Sequence, residues 1–144
     1  MSATNALEIA DRLHSAAIRL LRAVRTVDPE TGLSAPKLSA LSVLIYGGAK
    51  SLSALARAEQ VTAATMSKLI SDLEAEGHVA KRVDTTDRRG VRIEATAKGR
   101  ALFEQARKAR LYLLRSRLAK LSPAEWARLG EAAELMLRVA AGEK

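Results

Sequence analysis

The amino-acid sequence predicts an α+β fold that is mainly helical and carries one small β-hairpin. Along most of the 144 residues, apolar side chains recur at the spacing of a single helix face. Aromatic residues make up only 3% of the sequence although 48% is hydrophobic. The core must therefore be built from Leu, Ala, Val and Ile, which suits helices better than a β-sandwich.

The first half of the chain predicts four helices separated by short breaks. These helices are expected at about 6–27, 34–46, 53–59 and 63–76. The Asp-Pro-Glu-Thr-Gly segment 28–32 ends the first helix, because proline and glycine both interrupt helices. Thr62 is expected to cap the fourth helix, and Gly77 to terminate it.

The second half predicts the hairpin and two more helices. Two short runs, 78–83 and 91–95, have the character of strands on either side of a polar tip. Thr96 is expected to cap a long helix that continues to Leu121. A Ser-Pro-Ala-Glu segment, 122–125, has the capping-box pattern with proline at the first helical position, and it opens the last helix.

The fourth helix and the hairpin tip carry the clearest functional pattern. The helix places Met66, Leu69, Ile70 and Leu73 on one face and Thr62, Thr65, Lys68 and Asp72 on the other. The tip carries Arg88 and Arg89. A helix beside a basic β-loop can place one element in each groove of DNA, so helix-turn-helix DNA binding with a wing is the first hypothesis.

The composition favours a polyanionic partner and disfavours several other classes of protein. The formal net charge is +8, there is no cysteine, and there are only two histidines. Disulfides, thiolate metal sites and cysteine catalysis are excluded, no phosphate-binding glycine loop is present, and we predict no enzyme, no cofactor and no metal. Without a secretory pattern or a long apolar run, we expect a soluble, cytoplasmic protein without a membrane partner.

One alternative keeps the same fold but a different function. Two short amphipathic helices and a hairpin are common, and a winged helix can serve as a protein–protein interaction module that binds no DNA. The exposed hydroxyl residues and Lys68 favour DNA, because small polar side chains can approach base edges and phosphates without clashing.

Residues 52–99 closely resemble the MarR family of bacterial winged-helix regulators. The resemblance is carried by L-S-A-L-A at 52–56, T-M-S-K-L at 65–69, D-L-E-A-E-G-H-V at 72–79, D-x-x-D-R-R-G at 84–90 and T-A-K-G-R at 96–100. It implies a single domain, 1–144, with a winged helix-turn-helix at about 34–99. Helices at about 6–27 and 97–141 would form the dimerisation lobe of a ligand-responsive homodimeric repressor.

The resemblance also implies which residues meet DNA. The candidate contacts are Ser53, Thr62, Thr65, Ser67, Lys68, Arg82, Asp87, Arg88 and Arg89. Arg89 would enter the minor groove, held by a charge-assisted hydrogen bond that it donates to Asp87, while Arg82 and Arg88 would contact phosphates. Ala63 and Ala64 stand where relatives often carry polar contacts, so readout would depend more on Thr65, Ser67 and Lys68.

A homodimer is expected to recognise a palindromic operator and to bind a small anionic or aromatic effector. The apolar stripes of the first helix and the last two exceed what a winged helix covers. These helices either pack only within one chain or, as we expect, bury this surface against a second copy. Candidate effector residues are His14, Tyr46, Arg110 and Tyr112. The helix over 98–120 is strongly basic, and its basic face is either a solvated surface or, through Arg110, part of the effector site.

Overall fold

A computed structural model of the chain describes residues 3–83 and 90–142. These residues form an α+β, mainly helical fold with one antiparallel pair of strands, which confirms the predicted fold class. The elements are α1 (Ala3–Arg25), α2 (Ala35–Gly47), α3 (Leu52–Glu59), α4 (Ala63–Ala75), β1 (Val79–Val83), β2 (Val91–Ala95), α5 (Ala97–Leu118) and α6 (Pro123–Ala141). The chain divides into two compact units, one up to Arg110 and one from Leu111.

Two helices end earlier than the sequence predicts. α1 stops at Arg25, because the chain then tightens into a short 3-10 helix, Asp28–Thr31. α5 stops at Leu118 instead of Leu121, since the Leu121 amide donates to the Leu118 carbonyl at 2.9 Å, only three residues back. Such i to i+3 bonds tighten the chain at a helix end.

Side-chain caps fix where the helices begin. Each capping oxygen accepts the backbone N–H three residues further on: Thr62 at 3.1 Å, Thr96 at 3.0 Å and Ser122 at 3.3 Å. All three predicted caps are therefore confirmed, and Glu125 completes the capping box by accepting from the Ser122 amide at 2.8 Å. Ser51 caps α3 in the same way, and this cap was not among those predicted from the sequence.

The core of the first unit is aliphatic, as the low aromatic content predicts. It is formed where α2, α3, α4, the hairpin and α5 pack together. Its large buried side chains are Leu33, Leu38, Leu41, Leu44, Leu55, Met66, Ile70, Leu73, Val79, Ile93 and Phe103. Burying an aliphatic side chain of this size contributes roughly 1.5–3 kcal/mol, so this core fixes the relative positions of these elements.

The hairpin is anchored to the body of this unit at its base. The register pairs Val79 with Ala95 and Val83 with Val91. Lys50, in the connection between α2 and α3, exchanges both backbone hydrogen bonds with Ile93, at 3.0 and 2.8 Å. The base of the predicted wing is thus tied to the segment that leads into α3.

The second unit leaves much apolar surface exposed. α6 has no buried residue, and the Trp126 indole N–H donates to the Leu118 carbonyl at 2.6 Å while half of that side chain stays exposed. Neither α6 nor any other helix within residues 3–83 and 90–142 combines the length and apolar character that crossing a membrane requires.

The first turn of α5 lies directly against the turn that follows α4. The His78 carbonyl accepts from the Thr96 amide at 3.0 Å, and Lys98 donates to the Glu76 carbonyl at 2.8 Å. A Cβ atom added at Gly99 would lie only 2.1 Å from the His78 carbonyl oxygen. Glycine is therefore required at position 99 by the backbone that passes over it.

We predict that Gly99→Ala destabilises the fold by roughly 1–3 kcal/mol or more, because the new methyl group overlaps a backbone atom that cannot rotate away. Chemical denaturation at matched protein concentration measures this loss. Gly130→Ala is the control, since in α6 the added methyl has open space and meets no other part of the described residues within 4 Å beyond its own helix backbone. A Gly99→Ala protein with the parent's midpoint would show that this close approach does not exist.

Candidate nucleic-acid interface

α4 has one buried and one exposed face. Met66, Ile70 and Leu73 are fully buried, and Leu69 is half-buried against the same core. The exposed face carries Thr62, Thr65, Ser67, Lys68 and Asp72. The predicted division of this helix is confirmed, and its polar face is open to a partner.

A tight turn joins α3 to α4. Gln60 adopts a left-handed conformation with φ 56°, which lets its amide donate to the Arg57 carbonyl at 3.1 Å. The Val61 amide then donates to the Ala56 carbonyl at 3.0 Å. Because these bonds close the end of α3, only three residues, 60–62, separate the two helices. This is the geometry of a helix-turn-helix.

The two threonines at the start of α4 differ in whether their hydroxyl group is still free to donate a hydrogen bond. Thr62 accepts from the Thr65 amide at 3.1 Å and donates its proton to the Thr65 hydroxyl at 2.9 Å. Both functions of the Thr62 hydroxyl are thus engaged within the helix. The Thr65 hydroxyl keeps its own proton, which it can donate to a base edge or a phosphate.

The two serine candidates lie on the exposed surface of the same unit. Ser53 is exposed in the first turn of α3, with its Oγ 3.3 Å from the Ser51 Oγ. Ser67 lines a groove of about 220 Å³ between α4 and the hairpin, together with Lys81 and Val91. Ser67 is therefore the candidate that lies next to the wing.

On the hairpin, Arg82 is highly exposed but paired. Its side chain is 73% exposed, and its Nε lies 2.5 Å from a Glu94 carboxylate oxygen. A phosphate would have to share or displace this contact. The other wing candidates, Asp87, Arg88 and Arg89, lie outside the described residues.

The C-terminal end of α4 is held by a polar cluster. Lys37, in the first turn of α2, donates to one Glu76 carboxylate oxygen at 2.5 Å, and the His78 Nδ1 lies 3.2 Å from the other. The hydrogen bond from Lys37 is the main reason why the pKa of Glu76 lies below its usual value. The cluster connects α2 to the end of α4.

A separate cavity of about 330 Å³ opens in the first unit. Its lining residues are Leu21, Arg25, Ala35, Leu38, Ser39, Ser42, Tyr46, Phe103, Arg107 and Arg110. The rings of Tyr46 and Phe103 meet edge-to-face with centroids 5.7 Å apart. Aromatic rings, apolar side chains and arginines together suit a small anion with an apolar body.

The four effector candidates fall in different places. Tyr46 and Arg110 line the cavity, but the Arg110 guanidinium is bound by the buried Asp28 carboxylate through two hydrogen bonds, at 2.8 and 2.7 Å. His14 is exposed on α1 and is not one of the lining residues. Tyr112 is exposed and belongs to the second unit.

Sequence reasoning missed the pairs that join distant helices. Asp28 lies in a segment whose proline and glycine predict only a helix break, yet it binds Arg110. Ser39, on α2, donates to both carboxylate oxygens of Glu59 at 2.9 and 2.7 Å. Hydrophobic periodicity carries no signal for such pairs, because it describes one helix at a time.

Comparison with known sequences gives consistent matches. A family model described as the MarR family matches residues 31–90. An HTH-type transcriptional regulator of Mycobacterium tuberculosis is 36% identical over 129 residues, which are 90% of each chain. An uncharacterized HTH-type transcriptional regulator of Mycobacterium leprae is 34% identical over 131 residues, covering 91% of this chain and 92% of that one.

Solved structures share the fold over nearly the whole chain. A MarR family protein from Bacillus stearothermophilus superposes with a TM-score of 0.82 at 21% identity, covering 98% of this chain and 99% of that one. The wild-type apo MarR structure from E. coli gives 0.76 at 19% identity, covering 89% and 96%. At these identities the likeness establishes the shared fold and no more.

We predict that Glu76→Gln makes the free energy of unfolding fall less steeply as the pH is lowered below about 6. The pKa of Glu76 is lower in the folded than in the unfolded protein. Ionised Glu76 therefore adds to the free energy of unfolding at a pH above the unfolded-state pKa, and this contribution is lost as the pH falls through the folded-state pKa. Urea denaturation at about pH 6 and about pH 3.5 measures the difference. Lys37→Met removes the donor and should have a similar effect. A Glu76→Gln protein that loses stability as steeply as the parent would refute this coupling.

Proposed function

Since the chain belongs to the MarR family of HTH-type transcriptional regulators, we propose that it is a homodimeric repressor whose affinity for a palindromic operator responds to a small ligand. Family membership confirms the coarser predictions that this chain is a DNA-binding regulator and not an enzyme. The finer assignment is supported by the exposed surfaces of the two units and by a cavity in the first unit.

The observation that carries the proposal is the exposed polar face of α4, whose opposite, apolar face is packed into the core. Thr65 and Ser67 present hydroxyl groups that can donate to or accept from base edges. Lys68 presents a charge that can neutralise a phosphate. Since Met66 and Ile70 fix the rotation of the helix, this face is presented in one orientation.

The remaining candidate contacts take supporting roles in the proposal. Thr62 acts mainly as the cap of α4, and Ser53 reaches a phosphate from the start of α3. Arg82 contacts a phosphate after partial release from Glu94. By resemblance to the family, Arg89 enters the minor groove, Asp87 orients it, and Arg88 contacts a phosphate.

Exposed apolar side chains support a second copy of the chain as partner. Among the described residues, thirteen of the seventeen exposed large hydrophobic side chains lie on α1, α5 and α6. Such surface is unfavourable in water and is typical of an obligate interface. Two-fold symmetry would place two recognition helices on half-sites about 34–36 Å apart, which matches a palindromic operator.

The cavity beside α2 supports a ligand response. Its volume of about 330 Å³ is at the lower end of the range for small-molecule sites. Arg25 and Arg107 offer positive charge, while Tyr46 and Phe103 offer an apolar wall. We therefore assign it to a small aromatic anion. A ligand that shifts operator affinity between roughly 5- and 150-fold would account for regulation.

We predict that the chain binds fragments selected from its source genome and that the logarithm of its affinity falls linearly with the logarithm of salt. Lys68→Ala should reduce the slope by about 0.9 per copy bound, because one phosphate contact is lost. Fluorescence anisotropy at several salt concentrations measures this slope. Lys108→Ala, an exposed lysine on α5, is the matched control. No binding at low salt would exclude the regulator and favour the protein-docking alternative.

We predict that Leu137→Glu shifts the chain from dimer to monomer. Leu137 is 66% exposed on α6, and a charge at this position would be buried without a partner in a dimer. Sedimentation velocity measures the change in mass. Arg138→Gln changes the charge by the same amount on the neighbouring residue and serves as the control. A parent protein that sediments as a monomer would contradict the proposed assembly.

A further inference from the structure

One side-chain hydrogen bond joins the cavity to the helix-turn-helix. Ser39 lines the cavity, and its hydroxyl donates to both carboxylate oxygens of Glu59, at 2.9 and 2.7 Å. Glu59 is the last residue of α3, the first helix of the helix-turn-helix. Both side chains are half-buried, so this bond is partly shielded from solvent.

The Ser39 hydroxyl cannot donate to Glu59 and to a ligand at the same time. A hydroxyl group has one proton to donate, and in this structure that proton is directed to Glu59. An anion that entered the cavity and accepted a hydrogen bond from Ser39 would turn the hydroxyl proton away from Glu59. The Glu59 carboxylate would then be half-buried without this donor, which is unfavourable for a charged group. Anion binding at Ser39 and the present position of Glu59 therefore compete.

Ser42 provides an internal contrast. It lines the same cavity one turn further along α2, but its hydroxyl donates to the Ser39 carbonyl at 2.6 Å, within its own helix. An anion that accepts from Ser42 disturbs no bond between helices. Of these two serines, only Ser39 connects the cavity to α3.

The end of α3 is close to the start of the recognition helix. Glu59 is followed by Gln60 and Val61, whose amides close the end of α3, and then by Thr62, which caps α4. A shift of Glu59 therefore acts on the tight turn that sets where α4 begins. Only three residues form this turn, so a shift at the end of α3 is passed on to the start of α4.

We infer that Ser39 is the positioning residue through which an anion in the cavity weakens DNA binding, by withdrawing its hydrogen bond from Glu59. This inference deepens the proposed ligand response and depends on it for the ligand. It also makes a claim that needs no ligand: removing the Ser39 hydroxyl alone should imitate the occupied state.

The test uses the full chain, a genomic fragment selected by binding, and benzoate as the probe. Operator affinity is measured by anisotropy without benzoate and at saturating benzoate for the parent, Ser39→Ala, Ser42→Ala and Glu59→Gln. Amide hydrogen exchange at residues 57–61 is followed in the same samples. The ratio of affinities with and without benzoate reports the response, independently of how tightly each variant binds benzoate.

The expected pattern differs between the two serines. Without benzoate, Ser39→Ala should bind the operator about tenfold more weakly than the parent, as expected for loss of a hydrogen bond to a charged group, and exchange faster at 57–61. Benzoate should weaken parent binding but have little further effect on Ser39→Ala. Ser42→Ala should keep the response, and Glu59→Gln should show a smaller one, because a neutral amide tolerates loss of its donor better.

Two failures are distinguishable. If Ser39→Ala binds the operator as the parent does, with the parent's exchange at 57–61, the inference is wrong whatever benzoate does. If Ser39→Ala weakens operator binding while benzoate leaves the operator affinity of the parent unchanged, the link from Ser39 to the helix-turn-helix holds. In that case the proposed response to an aromatic anion fails.

Discussion

The close approach of α5 to the turn after α4 is the constraint on which the rest of the first unit depends. The His78 backbone passes over Gly99 so closely that no side chain fits between them. At this point α4 ends, the hairpin begins and α5 starts. Hydrogen bonds from Thr96 and Lys98 close the same turn. This turn therefore fixes the C-terminal end of α4, and the Thr62 cap fixes where the helix begins.

A helix held in this way can expose polar groups without losing its position. The buried face of the helix packs into the core and holds the helix in place. Thr65, Ser67 and Lys68 take no part in this packing and can contact a partner. The wing is held similarly, because Ile93 is both buried and paired with Lys50. The cavity lies against α2, which contacts α4 through Lys37 and α3 through Ser39. The proposed ligand cavity and the proposed DNA-binding face thus lie in the same unit of the fold.

The sequence was sufficient to predict what depends on neighbours in the chain. Helix faces, the caps at Thr62, Thr96 and Ser122, and the strand positions follow from local spacing and local hydrogen bonding. The pairs Asp28–Arg110 and Ser39–Glu59 could not be predicted, because their partners meet only once the core has formed. The structure also adds a detail at Thr62: the sequence predicts its cap, but only the structure shows that its proton is donated to the Thr65 hydroxyl.

The central claim is that the exposed face of α4 reads the DNA sequence, and it is tested most directly by the ratio of operator affinity to affinity for an unrelated fragment at one fixed salt concentration. For the parent we expect a ratio of at least about 1,000, as is usual for specific regulators. Replacing Thr65 and Ser67 together by alanine should lower this ratio at least about tenfold, since base contacts are lost while phosphate contacts remain. An unchanged ratio in that double variant would contradict the account.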